Sequence, residues 1–288
     1  MPQFNFDAIG TSWQIDIFDY LDKKDEEEIF EKINIRIETF DKTYSRFRSD
    51  SLITEMSQKP GIYTLPEDSK MLLNIYFDLY QKTEGLFTPL VGDILSDAGY
   101  DAEYSLKQKN ELMSPRNWED VMEFNFPKLK IKIPAILDFG AGGKGYLIDI
   151  VGDLLEQNNI TKYCIDAGGD ILHKNNESIK VGLENPFSLD EVVGVYNLKN
   201  KSICGSAGTR RKWAEFNHIM NPKTLKSVTD VVAVWVVADT ALVADCVATC
   251  LFFVDSNILS DAYNFDFVLI RENQTILKSE NFDGEIFV

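Results

Sequence analysis

The stretch Asp138-Phe139-Gly140-Ala141-Gly142-Gly143-Lys144-Gly145-Tyr146 decides which fold the rest of the chain can adopt. It grows out of a short apolar run, residues 136–139, that reads as a strand, and it opens a helix continuing through Leu155. Gly140, Gly142 and Gly145 satisfy G-x-G-x-x-G between those elements, and Asp166 stands at the end of the next strand. On paper this is the dinucleotide fingerprint of a parallel α/β sheet. Its physics is general: glycines let backbone N–H groups approach a phosphate closely, and a helix N-terminus favours an anion. It is not a P-loop, because Gly145 rather than Ser or Thr comes after Lys144. Three readings stay open: a phosphate-cradling loop outside any Rossmann domain, a site for an NAD-dependent oxidoreductase, and a glycine turn that serves packing alone.

The surroundings fit the Rossmann reading poorly. About half of the 288 residues precede the glycines, and the C-terminal half is rich in strands instead of repeating βα units. Alternating polarity predicts strands at residues 12–20, 163–165, 178–183, 228–237, 266–270 and 285–288, and at Val192–Leu198. Paired short strands around a proline turn are expected within residues 121–134. Helical spacing of Ile29, Phe30, Ile33, Ile37 and Phe40 predicts a helix over residues 25–42, and Leu72, Leu73, Tyr76, Leu79 and Tyr80 another at Ser69–Lys82. Residues 239–253 form an apolar helix with Asp239 as the expected N-cap. Residues 44–60 read as polar turns, and residues 96–116 as an aperiodic surface excursion. Dispersed helices among more numerous strands predict a single α+β domain over residues 1–288.

Composition narrows the function. Against 46 Asp+Glu stand 29 Lys+Arg, a net charge of −17. Such a chain lacks the basic surface that nucleic acid or anionic lipid requires. No run of 18 apolar residues offers membrane insertion. The opening residues carry no signal-peptide pattern, which predicts a cytoplasmic protein. Cys164, Cys204, Cys246 and Cys250 form no C-x-x-C pair and read as buried free thiols.

Three further constellations carry possible chemistry. Asp245 and Thr249 are four apart in the apolar helix, hence on one face. A carboxylate in apolar company is costly unless paired or metal-bound, and carboxylate plus hydroxyl suits Mg²⁺ beside phosphates. A backbone-bonded buried Asp is the equal alternative. Ser206-Ala207-Gly208-Thr209-Arg210-Arg211-Lys212-Trp213 concentrates three cations in an acidic chain, and His218-Ile219-Met220-Asn221-Pro222-Lys223-Thr224 lies just beyond it. An anion site and a solvated charge run both explain the cations, and His218 reads as base, ligand or structural residue. Thr43-Tyr44-Ser45-Arg46-Phe47-Arg48-Ser49-Asp50-Ser51-Leu52-Ile53 and Gly85-Leu86-Phe87-Thr88-Pro89-Leu90-Val91-Gly92 are turn-rich segments whose aromatics can clasp a flat ring.

Taken in order, these segments resemble the FAD:protein FMN transferase family, the ApbE-type flavin transferases. The likeness runs from Ile9-Gly10-Thr11 through the serine–aromatic segment at Ser45–Ser51, the proline segment ending at Gly92, and the glycine loop 137–146. It continues through Gly168-Gly169-Asp170, the stretch from Ser206 to Arg211, and His218 to Thr224, and ends in Ala244-Asp245-Cys246-Val247-Ala248-Thr249. The resemblance implies an α+β domain of T-fold type, with mixed or antiparallel sheets and flanking helices. It implies FAD as substrate, Mg²⁺ at the pyrophosphate, and an acceptor flavoprotein whose Thr hydroxyl receives FMN as AMP leaves. By the same resemblance the metal falls to Asp245, Thr249 and the Gly143 carbonyl. Flavin contacts fall to Phe47, Phe87, Thr88, Gly140, Tyr146, His218 and Ile219. Lys144 and Arg211 would offset developing charge, and His218 or Asp245 would act as base. The sequence departs from the family pattern at Ile9, Thr88, Ala207, Thr209 and Leu225. Two rivals keep the site: an Mg²⁺-dependent FAD pyrophosphatase, with water as nucleophile, and a non-enzymatic FAD-binding protein.

Overall fold

The computed structural model describes residues 2–188 and 190–287. Its backbone is an eight-stranded sheet: β1 (Gln3–Ala8), β2 (Thr11–Ile17), β3 (Tyr163–Ala167), β4 (Asp170–Lys174), β5 (Lys201–Ala207), β6 (Val231–Ala238), β7 (Phe265–Arg271) and β8 (Ile276–Lys278). Spatial order follows chain order, and every neighbouring pair is antiparallel. An antiparallel meander has no crossover helices and no point where strand order reverses, so the Rossmann reading of the glycine loop is overturned. Asp166, its would-be ribose ligand, instead closes the β3–β4 turn by accepting the Gly169 N–H at 2.8 Å.

Alternation along the strands builds two layers. Tyr163, Ile165, Leu172, Cys204, Val234 and Val236 face a helix layer, while their neighbours Cys164, Ile171, Ile203, Val237 and Val268 face a small sheet. The helix layer comprises α1 (Lys23–Tyr44), α2 (Ser69–Lys82), α3 (Gly143–Gln157) and α4 (Ala241–Cys250). The small sheet pairs Ile179–Glu184 with Val192–Leu198, and the latter with Glu285–Ile286. Both faces of the meander are thus covered, which explains why its central strands carry nearly continuous apolar runs such as Val231–Ala238. All four cysteines are free and buried. No helix of the described residues is long and apolar enough to cross a membrane.

Ser69–Lys82 and Val192–Leu198 fall where periodicity places them. Elsewhere the structure differs. Residues 136–139 are not a strand, because the Asp138 N–H donates to the Pro89 carbonyl at 2.7 Å and no strand among the described residues pairs with them. The turn-rich stretch encloses a helix, Leu52–Gln58, started by Ser51, whose hydroxyl accepts the Thr54 N–H. The cap of α4 is Thr240, not Asp239: its side chain accepts from the Val243 N–H. Asp149 of α3 reinforces that end, accepting the Ala241 and Leu242 N–H groups at 2.8 Å each. Residues 98–101 of the surface excursion are buried, and Gln3–Ala8 is a strand the pattern did not announce. Residue 288, the end of the last expected strand, lies outside the described residues.

Candidate active site

At the end of the meander, where β3 turns into β4 and β5 ends, a cavity of about 190 Å³ opens between the glycine loop, α4 and the loop of His218. A second, of about 300 Å³, adjoins it through Phe47, Tyr100, Asp138, Gly140, Lys144 and Arg211. Phe47, Phe87, Thr88, Gly140, Lys144, Arg211, His218, Ile219, Asp245 and Thr249 all line the first cavity, and Gly143 lines the second. Tyr146 lines neither. Its hydroxyl donates to the Asp68 carbonyl at 2.7 Å, and its ring packs edge-on against Phe40 inside the helix layer.

The glycines serve close approach of α3 to α4. A Cβ on Gly142 would strike the Cys246 sulfur, and one on Gly145 would strike the Ala241 carbonyl and come within 2.7 Å of the Asp245 Cβ. Only glycine lets the two helices meet here. The contact carries Asp245 to the loop, where its Oδ2 accepts the Gly145 N–H at 2.9 Å. Asp245 is buried among Ala244, Cys246 and Ala248. Burial raises its carboxyl above the usual range, the Asp170 charge adds to that, and Lys144 and the Gly145 N–H oppose it.

Lys144 projects from the first turn of α3 and pairs with buried Asp170, and its ammonium also reaches the Ala167 carbonyl at 3.2 Å. Asp170 accepts the Gly205 N–H with its other oxygen at 3.0 Å, which ties the lysine to β5. Burial disfavours the ammonium, but Asp170 and Asp245 outweigh it and hold Lys144 charged. Three ionisable side chains therefore share one buried corner: two carboxyl groups and one ammonium. Arg211 is exposed, and among the described residues no carboxylate lies within ion-pair distance of it. Arg210 beside it is committed to Glu184 at 2.6 Å and to the Gly168 carbonyl at 2.8 Å.

His218 is held neutral. Burial and the nearby Arg211 charge lower its imidazole to about 4. Among the described residues neither ring nitrogen has a hydrogen-bond partner, and Nδ1 is enclosed. Thr88 is buried and caps the short helical turn Pro89–Val91, its hydroxyl accepting the Leu90 N–H at 3.2 Å. Phe87 packs on Tyr76 with ring centroids 4.8 Å apart, so it supplies cavity floor from the core.

Several residues of this site carry no role from sequence reasoning. Arg46 is buried, pairs with Asp138 and donates to the Tyr100 carbonyl at 2.8 Å. Asp138 passes the constraint on, its Oδ1 accepting the Gly140 N–H at 2.7 Å. The sequence signal for this pair is Asp138 itself, a carboxylate two residues before the first glycine in an otherwise apolar run, where burial is costly without a partner. Tyr100 stacks on Trp213 at 5.4 Å, and the Trp213 N–H reaches the Ala98 carbonyl at 2.8 Å, making an aromatic cap. No periodicity could have announced it, since its parts come from distant segments.

The ApbE family model matches residues 9–264. The chain belongs to the ApbE family. The FAD:protein FMN transferase of Escherichia coli K12 is 24% identical over 261 residues, covering 83% of this chain and 74% of that protein. The FAD:protein FMN transferase of Klebsiella pneumoniae is 22% identical over the same length. Among solved structures, the flavin transferase ApbE from Vibrio cholerae superposes with a TM-score of 0.80 at 18% identity, covering 98% of this chain and 97% of that one. The ApbE protein from Thermotoga maritima gives 0.81 at 21% identity, with 98% and 97% covered. The meander, the helix layer and the small sheet are therefore the ApbE fold.

Proposed function

We propose that this chain, acting as one domain over residues 1–288, is an Mg²⁺-dependent FAD:protein FMN transferase. It moves the FMN half of FAD onto a Thr hydroxyl of an acceptor flavoprotein and releases AMP. The observation that carries this reading is the convergence of Asp245, Thr249, Lys144 and Arg211 on one cavity beside an aromatic wall, in a member of the ApbE family. Four buried free thiols fit a reducing compartment such as the cytoplasm.

The donor set fits a hard cation. One Asp245 oxygen is taken by the Gly145 N–H, while the other, like the Thr249 hydroxyl, takes no hydrogen bond from the described residues. The raised carboxyl of Asp245, beside the Asp170 charge, marks a corner where added positive charge is favourable. Asp245, Thr249 and the Gly143 carbonyl would hold the ion. Bound Mg²⁺ supplies charge neutralisation at a pyrophosphate and polarisation of the phosphorus.

The remaining work falls to the chain itself. The acceptor hydroxyl forms the new P–O bond at the FMN-side phosphorus. The pyrophosphate bond breaks, and its bridging oxygen leaves on AMP. Arg211, free of a carboxylate partner among the described residues, offsets the charge that develops on the leaving phosphate. Lys144, neutralised by Asp170, is better suited to fixing the loop against β5. The hydroxyl proton passes to Nε2 of His218, which unlike Nδ1 is not enclosed, and burial keeps the ring in the accepting form. Phe47, Thr88, Gly140 and Ile219 would bound the flavin ring.

The test is to incubate the protein with FAD, with and without Mg²⁺, and with a Thr-containing acceptor peptide. AMP release with FMN on the peptide is expected only with Mg²⁺. AMP with free FMN alone would make the protein a pyrophosphatase, and FAD left intact throughout would make it a binding protein.

A further inference from the structure

The two faces of the Phe47 ring are covered by different kinds of neighbour. On one side lies the Arg46 guanidinium, 4.2 Å from the ring centroid. On the other lies Tyr104, nearly parallel at 10° with centroids 5.1 Å apart. Arg46 makes ring contacts with Phe47 and Tyr100 but none with Tyr104, which puts Tyr104 on the opposite face. The two neighbours differ in how firmly they are held. Arg46 is pinned by Asp138 and the Tyr100 carbonyl and is buried. Tyr104 is 50% exposed and belongs to no helix or strand. Its aromatic partners among the described residues are Phe47 and the edge of Tyr100 at 5.5 Å.

The backbone beneath Tyr104 is tightly determined. Tyr104 has φ +51°, a left-handed conformation that an aromatic residue adopts only when its surroundings enforce it. Buried Asp101 enforces it, with one oxygen accepting the Glu103 and Ser105 N–H groups at 3.1 and 3.0 Å. Its other oxygen takes Lys109 at 2.6 Å. The Tyr104 N–H itself donates to the Asp101 carbonyl at 3.1 Å. An ordered scaffold thus bears strain to hold a half-exposed ring at the wall of the adjoining cavity.

We infer that Tyr104 is a specificity-determining residue: the flat, electron-poor ring of the substrate inserts between Tyr104 and Phe47, giving a stack backed by Arg46. The inference rests on the proposed flavin chemistry and adds the residue that recognises the ring. Of the two faces of Phe47, only the Tyr104 face can open, because freeing the other means breaking a buried ion pair. Insertion needs two stacking steps of roughly 3.5 Å each in place of one, and a side chain outside regular structure supplies that movement by rotation. Phe47 stays fixed, so the ring is placed by the wall that carries Asp138 and the glycine loop. A purine nucleotide without a flavin gains nothing from Tyr104.

The experiment measures binding of FAD, riboflavin and ADP to the wild type, Tyr104→Phe and Tyr104→Ala, with flavin fluorescence for the first two ligands and calorimetry for ADP. Tyr104→Ala is expected to weaken FAD and riboflavin roughly three- to tenfold. It should also relieve part of the quenching that stacking imposes on the bound flavin. Tyr104→Phe keeps both affinity and quenching, and ADP binding is unchanged in both variants. Wild-type affinity and quenching in Tyr104→Ala overturn the inference while leaving the transferase reading intact. An equal loss for ADP also overturns it, since Tyr104 would then act on the nucleotide or the fold. A wild type that binds neither FAD nor riboflavin overturns the transferase reading itself.

Discussion

The cavity wall made by α3 and α4 is held by backbone approach, whereas the wall made by Arg46, Phe47, Tyr100, Tyr104 and Trp213 is held by stacked rings and one buried guanidinium. On the first wall, two glycines remove side chains so that a carboxylate can reach a helix N-terminus. On the second, bulky groups fill space and leave one face of one ring able to open. A wall of the first kind suits a charge whose position must not vary. A wall of the second kind suits a ring that must enter and leave. The difference also separates consequences: errors in the first wall should strike turnover, and errors in the second should strike stability or ring affinity.

The largest effect is expected at Asp245. Asp245→Asn keeps an acceptor for the Gly145 N–H and removes the charge. Burial and Asp170 already disfavour that charge, so the neutral amide should leave the melting temperature unchanged or slightly raised. Transfer should nevertheless fall about 10³-fold. A folded Asp245→Asn protein with wild-type flavinylation would remove Asp245 from the reaction and leave it a packing residue.

Arg46 comes next, and its effect is on stability. The Arg46 and Asp138 side chains are only 4% and 11% exposed, so removing one partner strands the other. Arg46→Met should cost about 3 kcal/mol in denaturant unfolding, and Arg46→Met combined with Asp138→Asn distinctly less. Additive losses would mean that the two side chains act independently. Gly145→Ala tests the other wall. The added methyl meets a backbone carbonyl that cannot step aside, so α4 must shift, at about 2 kcal/mol. Because Asp245 rides on α4, activity should fall with stability, whereas Arg46→Met should keep the Mg²⁺ dependence of whatever protein remains folded.

How far the molecule was legible in its sequence tracks the same division. Ser69–Lys82 and Val192–Leu198 announce themselves because local periodicity reports which face is buried. The glycine loop announces itself as a site, but its spacing does not say what the glycines approach. Gly142 and Gly145 answer to α4, about a hundred residues away, and that contact exists only once the meander is assembled. Residues 136–139 are apolar like a strand, yet with no neighbouring strand to pair with they run as a connecting segment. Tyr100 and Tyr104 sit in a stretch without period, because their partners Phe47 and Trp213 lie in other segments. Pairwise contacts across such distances leave no local trace, and Asp138 left one only because a carboxylate there is costly without a partner.

His218 lines the same cavity, and its effect is the most specific to pH. The folded protein holds its imidazole at about 4, while an unfolded chain titrates it near the ordinary 6.5. Between those values the unfolded chain binds a proton that the folded one refuses. Stability from this group is therefore whole above pH 6.5 and drains away as the pH falls towards 4. At pH 5 the loss amounts to about 2 kcal/mol, since each unit of difference is worth about 1.4 kcal/mol. His173, fully buried with neither ring nitrogen partnered among the described residues, is shifted in the same direction by burial and steepens the wild-type curve. His218→Gln removes only the first contribution. Urea midpoints at pH 7.5 and pH 5 should thus converge in His218→Gln relative to the wild type without becoming equal. Identical pH slopes in the two proteins would mean that His218 titrates in the fold as it does in the unfolded chain, so that its surroundings do not keep the imidazole neutral below pH 6.5.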